Sequence, residues 1–139
     1  PKGFALDFWK IAMRPGKPLI FGKLGRTPLL GLPGNPVSTL VCAILFLRPA
    51  IAAMLGTDTS MPLLSARLSR DLAANDARQD YIRAKLELRD GEYWTESFPV
   101  QDSSMLGTVA AAGALIVRAP HAPALGAGAR VDIIPLDNL

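Results

Sequence analysis

Between Tyr81 and Arg89 the apolar residues Ile82, Ala84, Leu86 and Leu88 alternate with Tyr81, Arg83, Lys85, Glu87 and Arg89, the pattern of a strand with one wet face. Asp90-Gly91 turns the chain into a second strand over Glu92 to Phe98, giving a hairpin. Leu63 to Leu72, Leu115 to Ala119 and Arg130 to Leu136 bring the set to about five strands, which without alternating helices predict a small antiparallel barrel or sandwich. A short helix is expected near Ser104 to Ala112. Residues 1–57 read differently, as the end of an α/β domain. Ile20 to Leu24 and Pro28 to Leu32 are short apolar strands joined by Gly25-Arg26-Thr27. The segment from Pro36 to about Leu55 is apolar on nearly every face, so it must be buried or pack in an oligomer, and Pro49 should kink it or split it after Arg48. Gly56 to Ser60 supply a stop and a linker. The expected division is therefore 1–57, α/β, followed by 58–139, all-β.

Leu32-Pro-Gly-Asn-Pro-Val-Ser38 joins the second strand to the helix. Asn35 suits the N-cap and Pro36 the first helical position, while Gly34 frees the turn. Helix N-termini of this kind present N–H groups and a positive dipole end to oxyanions. Upstream, Lys10, Arg14 and Lys17 lie within eight residues, on a segment turned by Pro15, Gly16 and Pro18. Cations on such a turn can converge on one anion.

The composition, 50% hydrophobic and 19% charged over 139 residues, is that of a folded chain with a core. The net charge of +3 is carried by scattered cations, which favours small anions over nucleic acid; Tyr81, Tyr93 and Trp94 are too few for a stacking platform. Cys42 excludes an internal disulfide and reads as a buried apolar residue, and with His121 alone beside it no zinc site can be built. Val37 to Leu47 is too short to cross a bilayer, and no signal peptide pattern opens the chain, so a cytoplasmic location is the default. The start at Pro1, with motifs almost at once, implies a piece of something longer.

Phe8 to Gly22 together with Gly31 to Ser38 resemble the C-terminal part of the molybdopterin molybdenumtransferase family, which includes the corresponding domain of gephyrin. Asp80-Tyr-Ile-Arg-Ala84 and Gln101-Asp-Ser-Ser-Met-Leu106 resemble that family's C-terminal domain, in the expected order. The resemblance implies the end of a three-layer α/β molybdopterin-binding domain followed by a small antiparallel β-barrel. It implies insertion of molybdenum into adenylylated molybdopterin, with molybdate as the second substrate and magnesium as cofactor.

By the same resemblance Arg14, Pro15, Arg83 and Ser103 contact molybdate, and Lys10, Lys17, Pro33, Gly34, Asn35 and Ser38 contact the cofactor; no catalytic residue is assigned. Where this chain has Asp102 the family commonly has glycine, and a carboxylate there would repel an anion. The magnesium-associated acidic segment would precede this chain, since Asp7 and Asp58 are the only carboxylates in residues 1–60. A homodimer of the intact protein and the preceding molybdopterin adenylyltransferase are the implied partners. The competing expectation is a non-catalytic scaffold of the same architecture.

Overall fold

A computed structural model describes residues 3–101, 107 and 110–136. Three strands, β1 (Phe4–Trp9), β3 (Ile20–Leu24) and β4 (Thr27–Gly31), form an antiparallel sheet in the order β1-β3-β4. The hairpin between β3 and β4 is closed by Gly25 and Arg26, so β4 begins earlier than the pattern suggested. β1 is an additional strand: Phe4, Leu6 and Phe8 alternate with Ala5 and Asp7, and a bulge between Leu6 and Phe8 resets its register on β3. By register Phe4, Leu6, Ile20, Leu24 and Leu29 share one face, and all five are exposed.

The segment after Pro36 is continuous, not split at Pro49. Helix α1 (Pro36–Cys42) passes into a π-helical turn (Ala43–Leu47) and then into α2 (Arg48–Leu55), closed by Gly56 in the left-handed conformation. The wider turn carries the bond from Arg48 N–H to Ala43 O, and Pro49 falls in the first turn of α2, where a missing donor costs little. At 20 residues, Pro36–Leu55 is long and apolar enough to cross a membrane by length and composition alone, unlike the shorter Val37–Leu47 window. The expected burial holds only for its first half. Val37, Val41, Cys42 and Ile44 are buried, whereas Met54 and Leu55 are 80% and 72% exposed.

The second half of the chain closes a five-stranded barrel from β5 (Leu64–Leu68), β6 (Gln79–Arg89), β7 (Glu92–Ser97), β8 (Ala114–Arg118) and β9 (Arg130–Pro135). Its neighbours are antiparallel except β5 and β7, which pair in parallel through Arg67–Trp94 and Leu68–Thr95, so the barrel is not purely antiparallel. The excursion through β6 returns β7 to the edge of β5 in the same direction. Inside lie Ala66, Leu68, Ala84, Ala114, Ile116 and Ile133. Ala111 N–H donates to Gly107 O at 3.2 Å, a helical bond; residues 104–106 and 108–109 of the expected helix lie outside the described residues.

A second core joins the two halves. Met13, Leu19, Val41 and Cys42 pack with Leu115 and Ile134 from the outer surface of the barrel, and Tyr81 and Val117 are half-buried against them. Each fully buried aliphatic side chain such as Leu19 contributes roughly 1.5–3 kcal/mol. A two-residue strand, β2 (Met13–Arg14), also pairs in parallel with Gln79 and Asp80 of β6, so one sheet crosses the expected boundary near residue 57. The outer face of β6 is consequently not wet throughout: Arg83 is only 3% exposed, and the polar positions reach solvent only toward Arg89.

Candidate functional site

Where the halves meet, a cleft of about 490 Å³ is lined by Arg14 of β2 and Pro15, Gly16 and Lys17 from the turn after it, by Ser38 of α1, by Asp80, Tyr81 and Arg83 of β6, and by Arg78 and Gln101 from the segments flanking the barrel strands. The turn after β2 is held by bonds from Ile11 N–H to Lys17 O (2.9 Å) and from Leu19 N–H to Gly16 O (3.1 Å). Gly16 takes a φ of +115°, and its α-carbon lies so close to Cys42 and Met13 that a Cβ there would sit 2.6 Å from the Cys42 sulfur. Burial pushes the Cys42 thiol up to about 11, consistent with a packing role. Tyr81, half-buried, is likewise shifted upward by desolvation.

Four cationic side chains therefore face one concavity, and one buried carboxylate stands among them. Asp80 is 4% exposed, forms an ion pair with Arg14, and among the described residues its Oδ1 has no hydrogen-bond partner. Arg14 also pairs with Asp76 at 3.1 Å. Asn75 fixes this corner, its amide nitrogen donating to the carbonyl oxygens of Arg78 (2.7 Å) and Ala119 (2.8 Å). Arg118, buried beneath, donates to the carbonyls of Ala73, Ala122 and Pro123.

Asp76 caps the same corner. Its side-chain and backbone bonds with Arg78, and then the nearby Arg14, lower its carboxyl from 3.8 to about 2. A folded-state value below the unfolded one stabilises the protein above the unfolded value, and that contribution fades as the pH falls through the folded value. Thermal unfolding followed from pH 5 to 2 is expected to show a steeper loss of Tm in the native chain than in Asp76→Asn, with the difference confined to roughly pH 4 to 2. Parallel curves would remove Asp76 from the acid response.

The structure brings together Arg14, Pro15, Lys17, Ser38 and Arg83 of the expected site residues. It does not bring Lys10 to the cleft lining: that residue sits at φ 66° with its ammonium 3.9 Å from the centre of the Trp9 ring. Pro33, Gly34 and Asn35 also stand outside the lining. Asn35 is the N-cap, its Oδ1 accepting from Val37 N–H (3.1 Å) and Ser38 N–H (3.2 Å), while Thr39 N–H bonds Asn35 O at 2.8 Å. With Pro36 lacking a donor, the first helical turn spends its N–H groups on its own cap, and the expected presentation of those groups to an anion is not realised. Gly34 has no positive φ and open space where a Cβ would stand, so the turn does not require glycine sterically. Ser103 and Asp102 lie outside the described residues. Arg78, Asp80 and Gln101 were not among the expected site residues; the signal for them is tertiary, apart from Asp80 and Gln101 each heading one of the two segments that resemble the family's C-terminal domain.

Residues 65–136 match the family described as MoeA C-terminal region (domain IV), and residues 1–53 match the probable molybdopterin binding domain. The chain is 34% identical over 137 residues to a molybdopterin molybdenumtransferase of Haemophilus influenzae, covering 96% of this chain and 34% of that protein. Molybdopterin molybdenumtransferase 1 of Mycobacterium tuberculosis is 36% identical over 137 residues, covering 92% and 32%. The chain thus spans about a third of the length of these relatives. A crystal structure of the molybdopterin biosynthesis moeA protein from Pyrococcus horikoshii superimposes with a TM-score of 0.77 at 24% identity, covering 94% of this chain and 32% of that one, a likeness of fold. With the molybdopterin-binding segment leading directly into domain IV, the chain belongs to the MoeA, or molybdopterin molybdenumtransferase, family.

Proposed function

We propose that this chain contributes the oxyanion-binding part of a site that inserts molybdenum into adenylylated molybdopterin, with release of adenylate, in molybdenum cofactor biosynthesis. The observation that carries this reading is the cleft in which Arg14, Lys17, Arg78 and Arg83 gather beside Ser38 at the junction of the two family segments. Its cations neutralise a dianion, and the arginine forks align its oxygens, within a wall made rigid by the second core. Molybdate, the substrate, is held by Arg83, with Arg14 and Pro15 beside it; Ser103 is proposed as a further contact from the family resemblance alone. Lys17 and Ser38, in the same cleft, serve the pterin cofactor and its phosphates; for Lys10, Pro33, Gly34 and Asn35, outside that lining, the cofactor role is proposed from the family resemblance alone. The two functional units are 1–57 and 58–139, in a cytoplasmic protein that dimerises when intact and receives its substrate from the adenylyltransferase. Among the described residues no group of three or more His, Cys, Asp or Glu side chains is placed to hold a metal ion. Magnesium therefore finds no ligand set among the described residues.

Equilibrium titration of the chain with molybdate, with sulfate as competitor, tests the reading. Saturable binding that prefers molybdate and weakens more than tenfold in Arg83→Met, with circular dichroism unchanged, is expected. A folded native chain that does not bind molybdate would overturn it.

A further inference from the structure

On one edge of β6, β2 pairs at Gln79 and Asp80 and β7 pairs from Ala84 onward. Arg83 sits in the gap between them, and the Gln101 side chain fills it. The Gln101 Oε1 accepts from Arg83 N–H at 3.1 Å and from Arg83 Nε–H at 3.3 Å. Its Nε2 donates to Arg83 O and to Phe98 O, both at 3.0 Å. Two of these bonds reproduce, with a side-chain amide, the paired donor and acceptor of a ladder rung. The third ties down the guanidinium itself. An amide that accepts from two donors and donates to two carbonyls has one satisfactory orientation, so the contact is directional.

We infer that Gln101 is a positioning residue that holds the Arg83 guanidinium toward the cleft. The inference rests on the oxyanion reading of that cleft. A long arginine side chain left unrestrained would have to be ordered when the ligand binds, which weakens binding. Gln101 orders it beforehand by bonding the backbone and the side chain of the same residue. A carboxylate at this position could not donate to the two carbonyls, and a thioether could neither donate nor accept strongly.

The test compares the native chain with Gln101→Met, of similar length but without the amide. Molybdate affinity is measured by titration, and hydrogen exchange at the Arg83 Nε–H by nitrogen-15 NMR, the resonance being assigned by its loss in Arg83→Lys. At least tenfold weaker molybdate binding and at least tenfold faster Nε–H exchange are expected, with circular dichroism near native and Tm lower by a few degrees because the bonds to the Arg83 backbone are lost as well. If Gln101→Met does not fold, Gln101→Asn, which withdraws the amide by one methylene, takes its place. Unchanged affinity and unchanged exchange in a folded variant would overturn the inference. If the native chain does not bind molybdate, the oxyanion reading falls, and the exchange measurement alone decides whether Gln101 fixes Arg83.

Discussion

Replacing Gly16 by alanine is expected to destabilise the chain by about 2–5 kcal/mol, the sum of roughly 1–2 kcal/mol for a side chain at positive φ and roughly 1–3 kcal/mol for overpacking. The new Cβ would meet the Cys42 sulfur at 2.6 Å and the Met13 methyl at 3.0 Å. The Met13 methyl is the end of a flexible side chain and can move. Cys42 is fully buried on α1, and displacing it shifts the second core. At roughly 3 °C per kcal/mol for a chain of this size, Tm should fall by about 6–15 °C. Gly25→Ala is the control, because Gly25 also has a positive φ (+61°) but open space around its missing Cβ. If both variants melt alike, the close approach to Cys42 contributes nothing.

Arg14→Ala is expected to cost about 2–4 kcal/mol, toward the lower end of the range for breaking a buried pair because Arg14 itself is half-exposed. The loss comes from what remains: Asp80 would keep its buried position without its ion-pair partner, with an Oδ1 that already lacks a hydrogen bond among the described residues. Adding Asp80→Asn to Arg14→Ala should recover more than half of the loss, since an uncharged amide is less costly to bury. Urea unfolding of the two single variants and the double variant measures the coupling. Additive effects would mean that Arg14 stabilises the junction through something other than Asp80. Two carboxylates already engage Arg14, so its service to an oxyanion is shared with a structural task.

What the chain's pattern revealed and what it concealed follow from the range of the interactions. Asn35 and Pro36 act within one turn, and their roles at the helix start were legible residue by residue. The barrel strands were legible from alternation, because their inner faces meet one another. Alternation alone puts Arg83 on a wet face, and only the resemblance assigns it to a site, because a period of two distinguishes two faces of a strand but not what covers the second one; α1 and the β2 turn come from far away in sequence to cover it. Asp80 lies on the opposite face of β6 from Arg83, and its burial was hidden because its partner Arg14 is 66 positions distant. β1 had a readable alternation, and its apolar residues are exposed in this chain rather than packed inside.

The π-turn at Ala43–Leu47 sets the angular phase of everything after it. Each such turn holds about one residue more than an α-turn, which rotates the following side chains by about 100° around the axis. An uninterrupted α-helix continuing the inward series Val37, Val41 and Ile44 would next place Arg48, Ile51 and Leu55 against the barrel. With the added residue the half-buried positions are instead Pro49 and Ala52, while Arg48, Ile51 and Leu55 are turned out. The exposed apolar side of α2 is thus determined by residue count and not by which side chains it carries. Deleting one residue from this turn would exchange the two sides, drawing a guanidinium toward the core and withdrawing Pro49 and Ala52.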